Sequence, residues 1–213
     1  MWYHGLRKPS APGASDMRFR IGLASSEDGV RWTRENEGRP VLDLGPKGAF
    51  DDIQVANPAV IRDNDGYRMW YSAYSEQTGH TIGMAESPDG IHWTKFRGGK
   101  PVEGLLRWVL GPAVYRLGQE YLMLYSREDL EEHAELHAWY VAAAASRDGF
   151  HWRILNDGKP IAGWTQEPPK AGGVHHPTSL VPEGSSLRYW YTENLAPGVF
   201  RIAAGRLERQ AGK

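Results

Sequence analysis

One pattern constrains this chain more than any other. Ser26-Glu27-Asp28-Gly29-Val30-Arg31-Trp32 returns as Ser87-Pro88-Asp89-Gly90-Ile91-His92-Trp93 and again as Ser146-Arg147-Asp148-Gly149-Phe150-His151-Trp152. The three aspartates lie 61 and 59 residues apart. Recurrence at a fixed interval marks a chain assembled from one repeated supersecondary unit. Each copy follows an apolar stretch, such as Ile21-Gly22-Leu23-Ala24 or Thr81-Ile82-Gly83-Met84-Ala85. Each precedes Gly-X-Pro and an aliphatic residue: Gly38-Arg39-Pro40-Val41, Gly99-Lys100-Pro101-Val102 and Gly158-Lys159-Pro160-Ile161.

A second landmark travels with the first. Tyr67-Arg68-Met69-Trp70-Tyr71 matches Tyr121-Leu122-Met123-Leu124-Tyr125 and Leu187-Arg188-Tyr189-Trp190-Tyr191, and Met1-Trp2-Tyr3 reads as the tail of the same element. Upstream stands a Pro-containing strand: Asn57-Pro58-Ala59-Val60-Ile61, Gly111-Pro112-Ala113-Val114-Tyr115 and His176-Pro177-Thr178-Ser179-Leu180. Asp63-Asn64-Asp65-Gly66 supplies hairpin chemistry between the two. One repeat thus reads as four strands: Pro-led, aromatic, small-residue, and one opening at Trp. Four antiparallel strands per unit is the blade of a β-propeller.

Composition agrees. The 213 residues include nine Trp, ten Tyr, 25 Gly and 14 Pro, which favour strands punctuated by turns. The expected fold is all-β, with about three and a half blades in a single partial propeller domain. Its units fall near residues 1–45, 46–104, 105–165 and 166–213. In the recurring loop, Asp can accept the amides of its own turn, Gly takes positive φ, and Trp pins the loop to the blade. These residues are read as structural. Leu130-Glu131-Glu132-His133-Ala134-Glu135-Leu136-His137 is the best helix candidate and reads as an insertion.

The first unit lacks a Pro-led strand and the last stops after its third strand, Val199–Leu207. The expectation is an N-terminally incomplete propeller, or one completed by another copy, with self-association covering open edges.

Twenty-five basic residues against 26 acidic ones give a formal charge of −1, which suggests no nucleic-acid or anionic-membrane partner. No apolar run is long enough for a membrane span. Met1–Arg7 lacks the apolar core of a secretory signal, so a cytoplasmic location follows if the N-terminus is complete. Cysteine is absent, excluding disulfides and thiolate metal sites.

Together, Met-Trp-Tyr, the Ser-X-Asp-Gly-X-X-Trp loops and Asn-Pro-Ala-Val resemble the five-bladed propeller glycosidases. That group comprises glycoside hydrolase families 43 and 32 and the mannoside phosphorylases of family 130. The loops also resemble the Asp-boxes of six-bladed sialidases, but the spacing near 60 residues fits the five-bladed group better. The resemblance implies a site at one end of the central tunnel, around the starts of the innermost strands. It also implies two carboxyl groups flanking the scissile bond. It calls for no cofactor and no metal, and for a small carbohydrate or oligosaccharide as partner.

Ala49-Phe50-Asp51-Asp52-Ile53-Gln54-Val55-Ala56-Asn57-Pro58 leads into an innermost strand, where the superfamily often sets an acidic residue facing sugar. Asp52 is the expected base or sugar-binding carboxylate, with Asp51 as its reserve. The two are expected to point opposite ways on an extended segment, and a turn-capping role is the alternative. In the next unit the resembled enzymes often read Glu-Gly-Pro, with Glu as general acid. This chain reads Leu110-Gly111-Pro112, which puts hydrolysis in doubt. Glu128, Glu135 and Glu193 are expected to be solvated at the surface. Asn57, Arg107, Trp108, His175 and His176 are the expected sugar contacts: Trp offers an apolar face, and the others offer polar groups. His133 and His137 lack the glutamate of a metalloprotease pair. The function expected is that of a glycoside hydrolase-like propeller acting on glycosidic bonds. A noncatalytic glycan-binding or protein-interaction propeller is the competing reading, and an inactive fragment the third.

Overall fold

The computed structural model describes residues 1–6, 18–63, 65–128, 139–161, 174–196 and 199–208. The candidate helix with Glu135, His133 and His137 lies outside them, as does Asn64 of the first hairpin turn. The described residues form antiparallel sheets with only short 3-10 turns besides. Sheet one holds β1 (Trp2–Leu6), β2 (Phe19–Ser25) and β3 (Thr33–Arg34). Sheet two holds β4 (Gln54–Asp63), β5 (Gly66–Ser75), β6 (Gly79–Ser87) and β7 (Thr94–Lys95). Sheet three holds β8 (Val109–Leu117), β9 (Glu120–Glu128), β10 (Trp139–Ser146) and β11 (Arg153–Ile154), and sheet four β12 (Val174–Glu183), β13 (Ser186–Ala196) and β14 (Val199–Glu208).

Sheets two and three run in simple sequence order, so each four-strand repeat is one meander, as a propeller blade requires. The Pro-led strand stands at one edge. The strand opening at Trp stands at the other and pairs over two residues only, because the 3-10 turns Asn36–Gly38, Phe96–Gly98 and Asn156–Gly158 end it. Sheet one has no Pro-led strand and sheet four no fourth strand among the described residues.

The chain divides into two compact units, Met1–Val102 and Glu103–Lys213. In the first, Ile21, Leu42, Val55, Met69 and Tyr71 form a dry cluster, with Trp2, Leu23 and Trp93 against it. In the second, Leu124, Val141, Ala143 and Tyr189 are joined by Leu155, Leu180 and Leu207. Burying an aliphatic side chain of this size stabilises by about 1.5–3 kcal/mol, so these clusters hold adjacent sheets together.

The recurring loops are built alike. Asp28 Oδ1 accepts the amides of Val30 and Arg31, Asp89 Oδ1 those of Ile91 and His92, and Asp148 Oδ1 those of Phe150 and His151. The serine two residues earlier accepts the glycine amide at 2.8 Å in every copy, and the tryptophan indole donates to the glycine carbonyl. Gly90 must be glycine twice over. Its φ is +80°, and a Cβ there would lie 2.8 Å from the Trp2 ring. Trp2 in turn donates to the Gly90 carbonyl at 2.8 Å and meets Trp93 edge-on, tying sheet one to sheet two.

Candidate functional site

Each Pro-led strand breaks its ladder at the same place. The β4–β5 register slips between Ala56 and Ala59, the β8–β9 register between Leu110 and Ala113, and the β12–β13 register on both sides of Pro177. The residue before the proline has positive φ each time: 48° at Asn57, 61° at Gly111 and 36° at His176. Proline steers its predecessor toward extended conformations, and a non-glycine residue held at positive φ costs about 1–3 kcal/mol. Such bulges re-aim a side chain and take an amide out of the ladder.

At Asn57 and His176 that amide is capped from the aromatic strand of the preceding sheet. Asn57 N–H donates to His4 Nδ1 at 3.3 Å, and His176 N–H donates to Ser126 Oγ at 2.9 Å. His4 and Ser126 hold the same position in the repeat, directly after the tyrosine of the aromatic strand. Burial pushes the His4 pKa below its ordinary value, favouring the neutral ring that can accept. Phe19 meets that ring edge-on.

In the first unit, Asp51 and Asp52 sit in a turn rather than on the extended segment expected. Ala49 N–H reaches the Pro46 carbonyl and Asp52 N–H the Ala49 carbonyl. Asp51 is 1% exposed. Its Oδ2 accepts from Tyr71 Oη at 3.0 Å and pairs with Lys95 Nζ at 2.6 Å. Burial, with the Asp51 charge adding to it, raises the Tyr71 hydroxyl well above its usual pKa. Asp51 is therefore engaged inside the fold. Asp52 is half-buried, and its Oδ2 accepts Gly48 N–H at 2.8 Å. Its Oδ1 is shielded from solvent and has no partner among the described residues. A carboxylate oxygen left that way is costly, and a hydroxyl donor would satisfy it.

In the second unit, the His176 ring lies against Gly111, where a Cβ would stand 2.7 Å from Nδ1. Nδ1 is 3.5 Å from Ser126 Oγ. Leu110, in place of the expected acid, is buried. Trp108 also has positive φ, 59°, and its carbonyl accepts Glu128 N–H at 3.1 Å. Arg107 is exposed beside it. His175 is placed by its ladder partner Thr192, with its side chain outside the description. Thus Asp51, Asp52 and Asn57 belong to one unit, and Arg107, Trp108, His175 and His176 to the other.

Two glutamates expected at the surface are buried instead. Glu128 is 5% exposed and Glu193 8%. Glu193 Oε2 accepts from both Arg201 Nε and Nη2 at 2.5 Å; the arginine fork offsets the cost of burying the charge. Among the described residues, no group of three or more His, Cys, Asp or Glu is placed to hold a metal ion. Nothing local marks His4 and Ser126 as caps; the one signal in the sequence is their shared position after the tyrosine of the repeat.

No model of a known protein family matches the chain. Two uncharacterized proteins of Mycobacterium tuberculosis are each 33% identical to it over 93 residues, covering 44% of this chain and 28% of theirs. Among solved structures, a glycoside hydrolase superposes with a TM-score of 0.72 at 17% identity, covering 100% of this chain and 64% of that one. The β-1,2-mannobiose phosphorylase of Listeria innocua gives 0.67 at 17% identity, covering 90% and 50%. A family 32 β-fructofuranosidase of Bombyx mori solved with sucrose gives 0.64 at 16% identity, covering 91% and 40%. The chain thus spans less than two thirds of the length of these relatives. Its fold is the β-propeller that these solved structures share.

Proposed function

We propose that this chain is a carbohydrate-active propeller of the glycoside hydrolase type, which binds oligosaccharide at the bulged starts of its Pro-led strands. The observation that carries the reading is the bulge itself. It recurs in three sheets, and in two of them it holds a polar residue, Asn57 or His176, at positive φ with its amide capped. Strain retained at equivalent places is how a polyhydroxylated ligand site is prepared. Asp52 is the proposed base or sugar-binding carboxylate, and Asp51 anchors the turn that presents it. Asn57, Arg107, Trp108, His175 and His176 are the proposed contacts. Hydrolysis would need a second carboxyl group across the sugar from Asp52, and Glu193 is already neutralised by Arg201.

The residues two before each bulge proline, Ala56, Leu110 and His175, include no carboxylate. That favours a second reading, a noncatalytic glycan-binding propeller. Hydrolysis across a panel of nitrophenyl glycosides and plant or microbial oligosaccharides separates the two. Turnover lost in Asp52→Ala supports the enzyme. Saturable binding without turnover selects the binder. A folded protein with neither response contradicts the proposal.

A further inference from the structure

One histidine side chain, reaching from sheet one to sheet two, caps the strained start of β4. Asn57 stands at φ 48° before Pro58, in a conformation that proline disfavours in its predecessor. Its N–H lies where the β4–β5 ladder slips, between Ala56 and Ala59, and donates to His4 Nδ1 at 3.3 Å. A histidine nitrogen accepts only while it carries no proton, and the imidazolium ring donates from both nitrogens. The cap therefore exists for one protonation state of His4, and the other state sets two donors against each other. In the second unit Ser126 Oγ accepts the His176 N–H at 2.9 Å, and a hydroxyl always keeps an acceptor lone pair.

The surroundings of His4 keep the ring in its accepting state. β1 packs chiefly against β2 and β4, and Phe19 of β2 meets the ring edge-on with centroids 5.6 Å apart. The charged groups of these elements are engaged elsewhere. On β2, Arg20 pairs with Asp43, and Arg18, just ahead of the strand, donates to the Asp52 carbonyl. On β4, Arg62 lies over the Tyr67 ring and Asp63 pairs with Arg68. Asp52, just ahead of β4, accepts Gly48 N–H, and in the loop that Trp2 touches Asp89 bonds the His92 ring. Burial lowers the His4 pKa from 6.5, so the neutral ring prevails at neutral pH.

We propose that His4 is a positioning residue for sugar: its neutral ring holds Asn57 in the conformation that presents the carboxamide to the ligand, and a proton on that ring releases it. The inference rests on the carbohydrate reading of the bulges. It makes the first unit's contact proton-gated and leaves the second unit's contact, capped by Ser126, without a gate. Apparent affinity scales with the fraction of chain in the competent conformation, so the gate is read as a pH profile.

The probe is the tightest-binding member of a panel of nitrophenyl glycosides, titrated calorimetrically into the full chain between about pH 7.5 and pH 5. The wild type is expected to lose affinity about threefold or more across that interval. His4→Asn, whose side-chain oxygen accepts without titrating, is expected to keep the affinity seen at the upper pH and to flatten the profile. His4→Ala leaves the amide uncapped and binds weakly throughout. Amide NMR without sugar gives a second reading: the Asn57 signal follows the His4 ring titration in the wild type and stays still in His4→Asn. Binding whose pH profile His4→Asn leaves unchanged overturns the role of His4 while the carbohydrate reading stands. An Asn57 signal indifferent to the His4 titration overturns it as well. A wild type that binds no glycoside at any pH overturns both.

Discussion

The His4 imidazole accepts the backbone N–H of Asn57 at 3.3 Å, where the second unit uses Ser126 to cap His176. Only one of these caps can titrate. Burial holds the His4 pKa below 6.5 in the folded chain, so the unfolded chain takes up the proton first as pH falls. The stabilisation is therefore complete above about pH 6.5 and is lost as pH drops through the folded pKa. Hydrogen exchange should show the Asn57 amide losing protection across that interval while the His176 amide keeps it. His4→Ser should abolish the difference.

Adjacent carboxylates Asp51 and Asp52 should separate cleanly. Asp51→Ala strands Lys95 and Tyr71 in a buried site, and removing one partner of a buried ion pair costs about 3–5 kcal/mol. Asp52→Ala removes one amide cap and should cost about 1 kcal/mol. Urea denaturation of the two variants measures both.

Tyr71 and Tyr125 occupy one repeat position with opposite consequences. Tyr71 donates to Asp51, whereas the Tyr125 hydroxyl is buried without a partner among the described residues, and its pKa is pushed up to about 12 by burial. Tyr71→Phe should destabilise by about 1 kcal/mol, and Tyr125→Phe should be neutral or stabilising. Paired thermal melts test the contrast.

The three recurring loops should differ in their weight. Asp148 and Asp89 each bond a histidine ring as well as two amides, His151 at 2.6 Å and His92 at 2.7 Å. Asp28 has Arg31 where those loops have histidine, and its loop is exposed at Val30 and Trp32. Asp148→Ala should cost about 1–3 kcal/mol, and Asp28→Ala less. The His92 amide and ring hold the Asp89 carboxyl below its usual range, and the His151 bonds outweigh burial to do the same for Asp148. These contributions are present above about pH 4 and are lost as pH falls through the lowered pKa. Acid unfolding of each variant at fixed temperature reads the order.

The blades were legible in the sequence because every repeat needs the same loop, and Asp89, Gly90 and Trp93 can do little else at that spacing. The bulges were not, although the prolines that mark them were in view. Proline argues for an extended predecessor, so positive φ at Asn57 and His176 contradicts the local expectation and depends on caps from another sheet. Asp51 and Asp52 could not be told apart because Tyr71 and Lys95, distant in sequence, decide which one turns inward. Glu128 and Glu193 looked solvated because charge at a strand end usually is; Arg201 on β14 makes the burial of Glu193 tolerable.

The central claim is that a carbohydrate occupies the bulged strand starts, and titration calorimetry tests it most directly. An oligosaccharide series is titrated into the wild-type chain, Asp52→Ala and Asn57→Ala. The account predicts saturable binding of at least one sugar by the wild type and at least tenfold weaker binding by both variants, with melting temperatures lowered by no more than about 4 °C. A wild-type chain that binds none of the sugars, or variants that bind as well as the wild type, would contradict it.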